Sequence, residues 1–338
     1  MRRLRGWFAT PLDAALTTLA LAGAAAIALP LLRWAVVDAT WRGDAARCHA
    51  GDGACWAFVA HKLRFLLFGL YPPSEQWRAA AATGVLLTIV VVMAVPRFWS
   101  RALVVAWPLA LGVVLWLMRG GLGLAKVPTR QWGGLPVTLV LTTVGLTLGL
   151  PLGVLLALGR RSRAPVPRLF ASVVVTVVRG VPLVAVLYLA ALVVPLTLPE
   201  EMALDKLALA AGAVTLFAAA YLGEAVRSGL QVVSRGQMDA SLSLGLRPWQ
   251  AMRLVVLPQA LRVVLPSLVA IAVGFYQDTS LVVVIGLFDL LNTARLAAQD
   301  PTWLGFHDEA YAFAAAVYFL GSFATTRYGL WLERRLGS

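Results

Sequence analysis

Eight runs of about 20 apolar residues recur along this 338-residue chain, near 12–32, 79–96, 101–118, 135–158, 169–195, 207–226, 263–287 and 310–331. A helix needs about 20 such residues to cross the hydrocarbon core of a bilayer. Within that core each backbone N–H and C=O must find a partner inside its own segment. Those two demands narrow the fold class to an all-α, polytopic transmembrane helical bundle. Composition agrees: 60% of the residues are hydrophobic and 13% are charged, against about 25% charged in a typical soluble domain.

The formal net charge is +13, from 29 Lys and Arg against 16 Asp and Glu. A basic excess in a soluble domain points to nucleic acid. Here the arginines collect in short loops between apolar runs, which is the pattern of positive-inside topology, so no nucleic-acid partner is expected. With the N-terminus inside, the cytoplasmic segments hold 17 Lys and Arg and the opposite side 11, with Arg179 left inside a span. The bias is strongest in 160–168 and 227–262, and eight spans place both termini in the cytoplasm. Arg2, Arg3 and Arg5 ahead of the first run also fit a signal peptide. That run exceeds a typical signal h-region and further spans follow, which favours a retained anchor.

The chain divides near residue 130. Residues 1–130 supply three spans and a long extracytoplasmic loop, and 131–338 supply five spans with no internal repeat. The loop holds Cys48 and Cys55 in C-H-A-G-D-G-A-C, beside His49. An oxidising compartment permits a disulfide between them. Free thiols and a metal site stay open as alternatives, although two thiols and one His fall short of a closed tetrahedral site.

Between the sixth and seventh runs lies DASLSLGLRPWQAMRLVVLP, residues 239–258. Residues 236–244 pattern as a short helix whose Met238, Leu242 and Leu246 form one apolar stripe. Gly245 suits its C-terminal cap and Pro248 the start of a second helix, which runs until Pro258 stops it. Ala240, Ser241 and Ser243 would give that pair a small-residue face suited to close docking. The plainer reading is an amphipathic loop lying on the membrane.

These residues resemble the cytoplasmic loop of the membrane subunits of bacterial ATP-binding-cassette importers, whose spacing is E-A-A-x3-G-x9-I-x-L-P. Asp239, Ala240 and Ser241 take the first three places, then Gly245, Val255, and Leu257 with Pro258. Asp for Glu and Ser for the second Ala are the departures. VVRGVPLVAVLY (177–188), YLGEAVRSGLQVVSRGQ (221–237) and DTSLVVVIGLFDLL (278–291) are similar to the polar-amino-acid branch. GACWAFVAHKLRFLLFGLYPPSEQWR (53–78) and VPTRQWGGLPVTLVL (127–141) extend the likeness to the M-type subunit of general L-amino-acid importers, which carries three extra N-terminal spans.

The resemblance implies a type I importer-like core that translocates L-amino acids from periplasm to cytoplasm. It implies that Asp239, Ala240, Ser241, Gly245, Leu257 and Pro258 couple the chain to a cytoplasmic ATPase dimer. The further partners it implies are a second, homologous permease subunit, a periplasmic amino-acid-binding protein and the lipid membrane. No cofactor is expected in this chain: it has no G-x-x-x-x-G-K-[ST] stretch, so ATP and Mg belong to the partner ATPase. The chain is then a transporter subunit and not an enzyme. Gln277, and the apolar Ala270, Ile271 and Ala272, depart from the Lys and polar residues that many relatives have there.

Ionisable residues inside spans are costly and point to function. Arg179, Glu224 and Asp278 are the three. A zwitterionic amino acid needs a cation for its carboxylate, which Arg179 can supply through two parallel bonds, and an anion for its ammonium, from Glu224 or Asp278. The competing reading makes Arg179 a snorkelling residue and Glu224 the i+3 partner of Arg227. The three histidines are scattered and no H-E-x-x-H stretch occurs, so no metal is expected. Arg97, Trp99, Arg101 and Trp107 read as an interfacial belt. The alternative function is an ion-gradient-driven secondary transporter, which usually shows internal repeats that this chain lacks.

Overall fold

The computed structural model describes residues 9–100, 102–197, 199 and 204–336. Arg2, Arg3, Arg5 and Arg101 lie outside the described residues. The chain forms two compact units, Met1–Leu63 with Arg295–Phe313, and Arg64–Ala294 with Ala314–Ser338.

The helices in chain order are α1 (Pro11–Leu32), α2 (Ala45–His49), α3 (Trp56–Phe68), α4 (Gln76–Ala94), α5 (Ala102–Arg119), α6 (Leu135–Arg160), α7 (Pro165–Gly180), α8 (Leu183–Tyr188) and α9 (Val194–Thr197). They continue with α10 (Lys206–Val232), α11 (Arg235–Ser243), α12 (Pro248–Ala251), α13 (Leu257–Val263), α14 (Leu265–Asp278), α15 (Leu290–Ala297) and α16 (His307–Leu336). Two dipeptides pair as parallel strands, β1 (Gly133–Gly134) and β2 (Phe288–Asp289).

Among the described residues, six stretches are helices long and apolar enough to cross a membrane: Pro11–Val37, Pro73–Ala94, Ala102–Arg119, Leu135–Arg160, Lys206–Val232 and Leu265–Ile285. The expected span at 169–195 is not one helix. It is α7 and α8–α9, bent by 109° at Gly180–Pro182. Pro182 has no N–H to continue the ladder and pushes Val181 into extended backbone (φ −114°, ψ 137°). Counted as one broken span, the pair makes a seventh crossing. The eighth run is α16, a continuous helix whose apolar character is diluted by Tyr311, Tyr318, Ser322, Thr325, Thr326 and Arg327.

Local chemistry sets the ends. Thr10 and Asp13 form a reciprocal capping box at the start of α1, with Pro11 in its first turn. The Asp205 side chain accepts from Leu207 N–H to open α10. Pro136 and Pro266 lie in first turns, where a missing N–H costs nothing.

The second unit is centred on α6 against α10. Gly145, Gly149, Gly153 and Ala157 recur every fourth residue along α6, all buried. A Cβ on Gly149 would lie 2.8 Å from the Ala218 Cβ, and one on Gly153 would lie 2.8 Å from the Gly223 backbone nitrogen. The two backbones therefore touch along a small-residue stripe, the usual way membrane helices approach closely. α4 and α5 pack beside α6, and the indole N–H of Trp107 donates to Thr147 Oγ1 at 2.7 Å.

In the first unit, Cys48 and Cys55 form a disulfide with Cα atoms 5.5 Å apart. Both sulfurs are consumed by it, which leaves neither thiolate for a metal. Cys55 N–H donates to the buried Glu309 Oε1 at 2.8 Å. His49 and His61 stack on Phe306 and Trp303, and Lys62 pairs with Asp300 at 2.7 Å.

Candidate functional site

The loop after α10 folds as a bracket. α11 ends in a complete left-handed cap: Gly245 N–H bonds Leu242 O at 2.9 Å, Leu246 N–H bonds Ser241 O at 3.2 Å, and Gly245 has φ +85°. Nothing lies within 4 Å of a Cβ built on Gly245, so glycine is needed there for its φ and not for space. Pro248 opens α12, and Arg247 N–H donates to Gln250 Oε1.

The second helix does not stop at Pro258. A π segment, Met252–Val256, follows α12, and Leu257 N–H bonds Met252 O five residues back. That widening absorbs the missing Pro258 N–H, and α13 carries on with Pro258 in its first turn.

Ala240, Ser241 and Ser243 do not share a face. Ser241 is buried and donates to Gln237 O at 2.6 Å, whereas Ala240 and Ser243 are exposed. The outward surface is Asp239, Ala240, Ser243, Leu242, Leu244 and Trp249, with Leu244 84% exposed. Leu257 faces inward. It joins Met238 and Met252 against the buried cluster Ala157, Val226, Leu230, Val256 and Ala260.

This bracket is tied to the core by backbone contact. A Cβ on Gly229 of α10 would lie 2.6 Å from Ala260 O of α13 and 2.7 Å from Val264 Cγ1. Gln259 Nε2 also donates to Gln237 Oε1 at 3.1 Å, joining α13 to α11. The contacts are continuous: Gly229 joins α13 to α10, and Gly223 with Gly153 joins α10 to α6.

The charged residues within spans sort into two places. Glu224 pairs with Arg227 on its own helix and with Arg160 at the end of α6, and Arg179 Nη1 stands 3.6 Å from its Oε2. Three guanidiniums therefore surround one carboxylate. Arg179 is the loosest member: it is 40% exposed and lies 5.3 Å over the Tyr221 ring. Asp278, at the end of α14, is half-buried and has no hydrogen-bond or ion-pair partner among the described residues. A run of rings, Phe275, Phe217 and Tyr221, leads from the end of α14 to Arg179, with centroids 5.9 and 4.9 Å apart.

A further polar cluster was missing from the sequence reading. Asp289 is fully buried. It accepts from Leu291 N–H and Asn292 N–H at 3.1 Å, from the Asn292 side chain, and from Tyr318 OH at 2.7 Å. Leu290 N–H donates to Thr138 Oγ1 at 3.1 Å, and Asn292 Nδ2 to Ser280 O at 3.2 Å. The cluster fixes the 3₁₀ segment Thr279–Ile285 against α6 and α16. An acid directly after Gly286-Leu287-Phe288, with Asn three residues on, was the available cap signal.

Residues 149–338 match the family model for the inner membrane component of binding-protein-dependent transport systems. The chain belongs to that family. It is 42% identical to the inner membrane amino-acid ABC transporter permease protein YhdY of Escherichia coli K12, covering 91% of this chain and 85% of that protein. It is 31% identical to BztC of Rhodobacter capsulatus, a glutamate/glutamine/aspartate/asparagine transport system permease protein, over 97% of this chain and 92% of that protein. BztB, named for the same system, matches at 46% identity over 24% of this chain and 19% of its own length. A solved structure described as an amino acid ABC transporter with histidines shares the fold at 32% identity and a TM-score of 0.53. It covers 60% of this chain and 92% of its own. This is a multi-pass inner-membrane permease with an ABC importer fold.

Proposed function

We propose that the chain is one permease subunit of an ATP-driven importer that carries L-amino acids from the periplasm to the cytoplasm. The observation that carries this reading is the capped bracket, residues 235–263, which presents an exposed face on one side and touches α10 backbone to backbone on the other. Its chemistry suits force transfer from a cytoplasmic ATPase dimer. That dimer binds ATP and Mg, and an extracytoplasmic binding protein delivers the substrate. BztB and BztC are named for one system and both resemble this chain, which supports a second, related permease as partner. Both termini lie in the cytoplasm on the arginine distribution.

Asp239, Ala240 and Gly245 form the docking face and its hinge, Ser241 and Leu257 hold it against the core, and Pro258 carries the second helix on in the first turn of α13. In the translocation path Asp278 takes the substrate ammonium, being the unpaired acid, and Arg179 meets the carboxylate. Glu224 holds Arg179 in reach and is not itself an ammonium site. Residues 131–338 form the transport core, in line with the family match, and 1–130 an extension. ATP binding shifts the core between outward- and inward-open states.

Uptake of labelled glutamate, glutamine, aspartate and asparagine by proteoliposomes holding the whole transporter tests this. Accumulation should require ATP and binding protein, and Asp278→Asn should abolish it while leaving the complex assembled. Uptake that follows an imposed ion gradient without ATP would instead establish a secondary transporter.

A further inference from the structure

The loop between α5 and β1 spends structure on a residue that has no evident reason to be there. Gly121 and Leu124 exchange backbone hydrogen bonds of 3.0 and 3.2 Å, closing a two-residue turn. Its central residues, Leu122 and Gly123, both have positive φ, +51° and +92°. Turns with two positive φ values favour Asn, Asp or Gly, because a Cβ crowds the backbone in that region. Leu122 is the described non-glycine residue with positive φ, and it is 94% exposed. Backbone strain and exposed apolar surface both disfavour leucine here, and a strained outlier is a reason to look for function.

The turn is also held stiffly. Trp116 Nε1 donates to Gly121 O at 3.0 Å, and Val127 N–H to Arg119 O at 2.9 Å. Beneath it Arg78 is fully buried, its Nε on Leu117 O and its Nη1 on Ala125 O, each at 2.8 Å. Burying a guanidinium is expensive, and this one fixes the base of an exposed loop. Along the loop, Arg119, Lys126 and Arg130 are exposed and residues 119–130 contain no acid; Thr129 donates to the Asp205 carboxylate, but none of the three cations pairs with a carboxylate among the described residues.

We propose that Leu122 is a docking contact for the extracytoplasmic binding protein, seated in an apolar notch rimmed by carboxylates. The proposal rests on the importer reading and on the loop facing the periplasm. A lipid contact needs no fixed backbone, whereas a knob locked in a left-handed turn on a loop with three exposed cations fits a shaped, acidic partner. The loop lies outside the family match at 149–338, so it gives the extension a role of its own.

The test uses the whole transporter in nanodiscs and measures ATPase rate against the concentration of its binding protein, loaded in turn with L-glutamate and L-glutamine. Leu122→Asn relieves the turn, so it should unfold at no lower temperature and keep the basal rate. It should raise the half-maximal binding-protein concentration by about tenfold, the worth of one buried leucine. Leu122→Met should behave as wild type. Identical curves for wild type and Leu122→Asn overturn the proposal and leave the importer reading intact. A wild-type complex that no loaded binding protein stimulates overturns both. A photo-crosslinker at position 122 should attach to the binding protein; adducts confined to lipid refute the contact.

Discussion

Gly229→Ala perturbs a place where the bracket meets α10 by backbone contact. The added Cβ would lie 2.6 Å from Ala260 O, against the 3.4 Å at which ordinary contact begins. α13 must therefore retreat by about 0.8 Å, or α10 must give by the same amount. Overpacking of this kind costs about 1–3 kcal/mol. Alanine in a helix recovers about 1 kcal/mol over glycine, so the net loss of stability is about 0–2 kcal/mol and the protein still folds. The effect should fall on transmission. Residues along a coupling route typically change coupling by about 0.5–2 kcal/mol, roughly 2- to 30-fold. Uptake and ATP hydrolysis measured together in proteoliposomes should show fewer amino acids moved per ATP by that factor, with ATPase still bound. Gly212→Ala on the same helix is the control, since nothing lies within 4 Å of its Cβ. If Gly229→Ala transports as many molecules per ATP as Gly212→Ala, the Gly229 route is wrong.

Three further outcomes follow. Gly245→Pro demands a φ near −65° where the chain needs +85°, so it should leave the protein in the membrane and abolish uptake; normal uptake would refute the coupling role of that cap. Glu224→Gln should lower stability by about 1–3 kcal/mol, discounted because these side chains are partly exposed. Arg179→Gln should cost about 0–1 kcal/mol, and detergent-solution thermal unfolding should rank them in that order. Lys62 holds the Asp300 carboxyl below its usual range through their hydrogen bond. That stabilisation is complete above the ordinary carboxylate pKa of about 3.9 and is lost as pH falls through the lower folded value. Wild type and Asp300→Asn should therefore differ in melting temperature at pH 6 and converge as pH falls through the lowered folded pKa of Asp300; a gap that widens in acid contradicts the pairing.

What the sequence discloses depends on the range of the interaction. The apolar runs are legible because a bilayer selects on composition over about 20 residues. Gly245 and Pro248 punctuate the bracket visibly, since their backbone limits are local. Pro182 marks a kink inside 169–195, but apolar continuity conceals that the bend reaches 109°. The Glu224–Arg227 pair is readable at i+3, but Arg160, 64 residues away, is brought in by the fold alone. That distant partner gives Glu224 a second guanidinium besides Arg227. The G-x-x-x-G-x-x-x-G run at 145–153 is a packing motif, but its partner helix is set by the fold. Pro258 looked like a stop because a π widening that accommodates a proline leaves no mark in composition. Leu122 was invisible for a different reason: its turn uses the residue that turn chemistry argues against.

The account turns on residues 235–263 being the contact for an ATPase. The most direct measurement is to tag this chain, solubilise membranes gently and identify what co-purifies, for wild type and for Asp239→Lys. Asp239 is exposed on the outward face of α11, so the substitution reverses a surface charge without disturbing the fold. An ATP-binding subunit held by wild type and lost from the variant is the expected result. A variant that retains the ATPase as fully as wild type, or a wild-type chain that brings none down under several mild detergents, would contradict it.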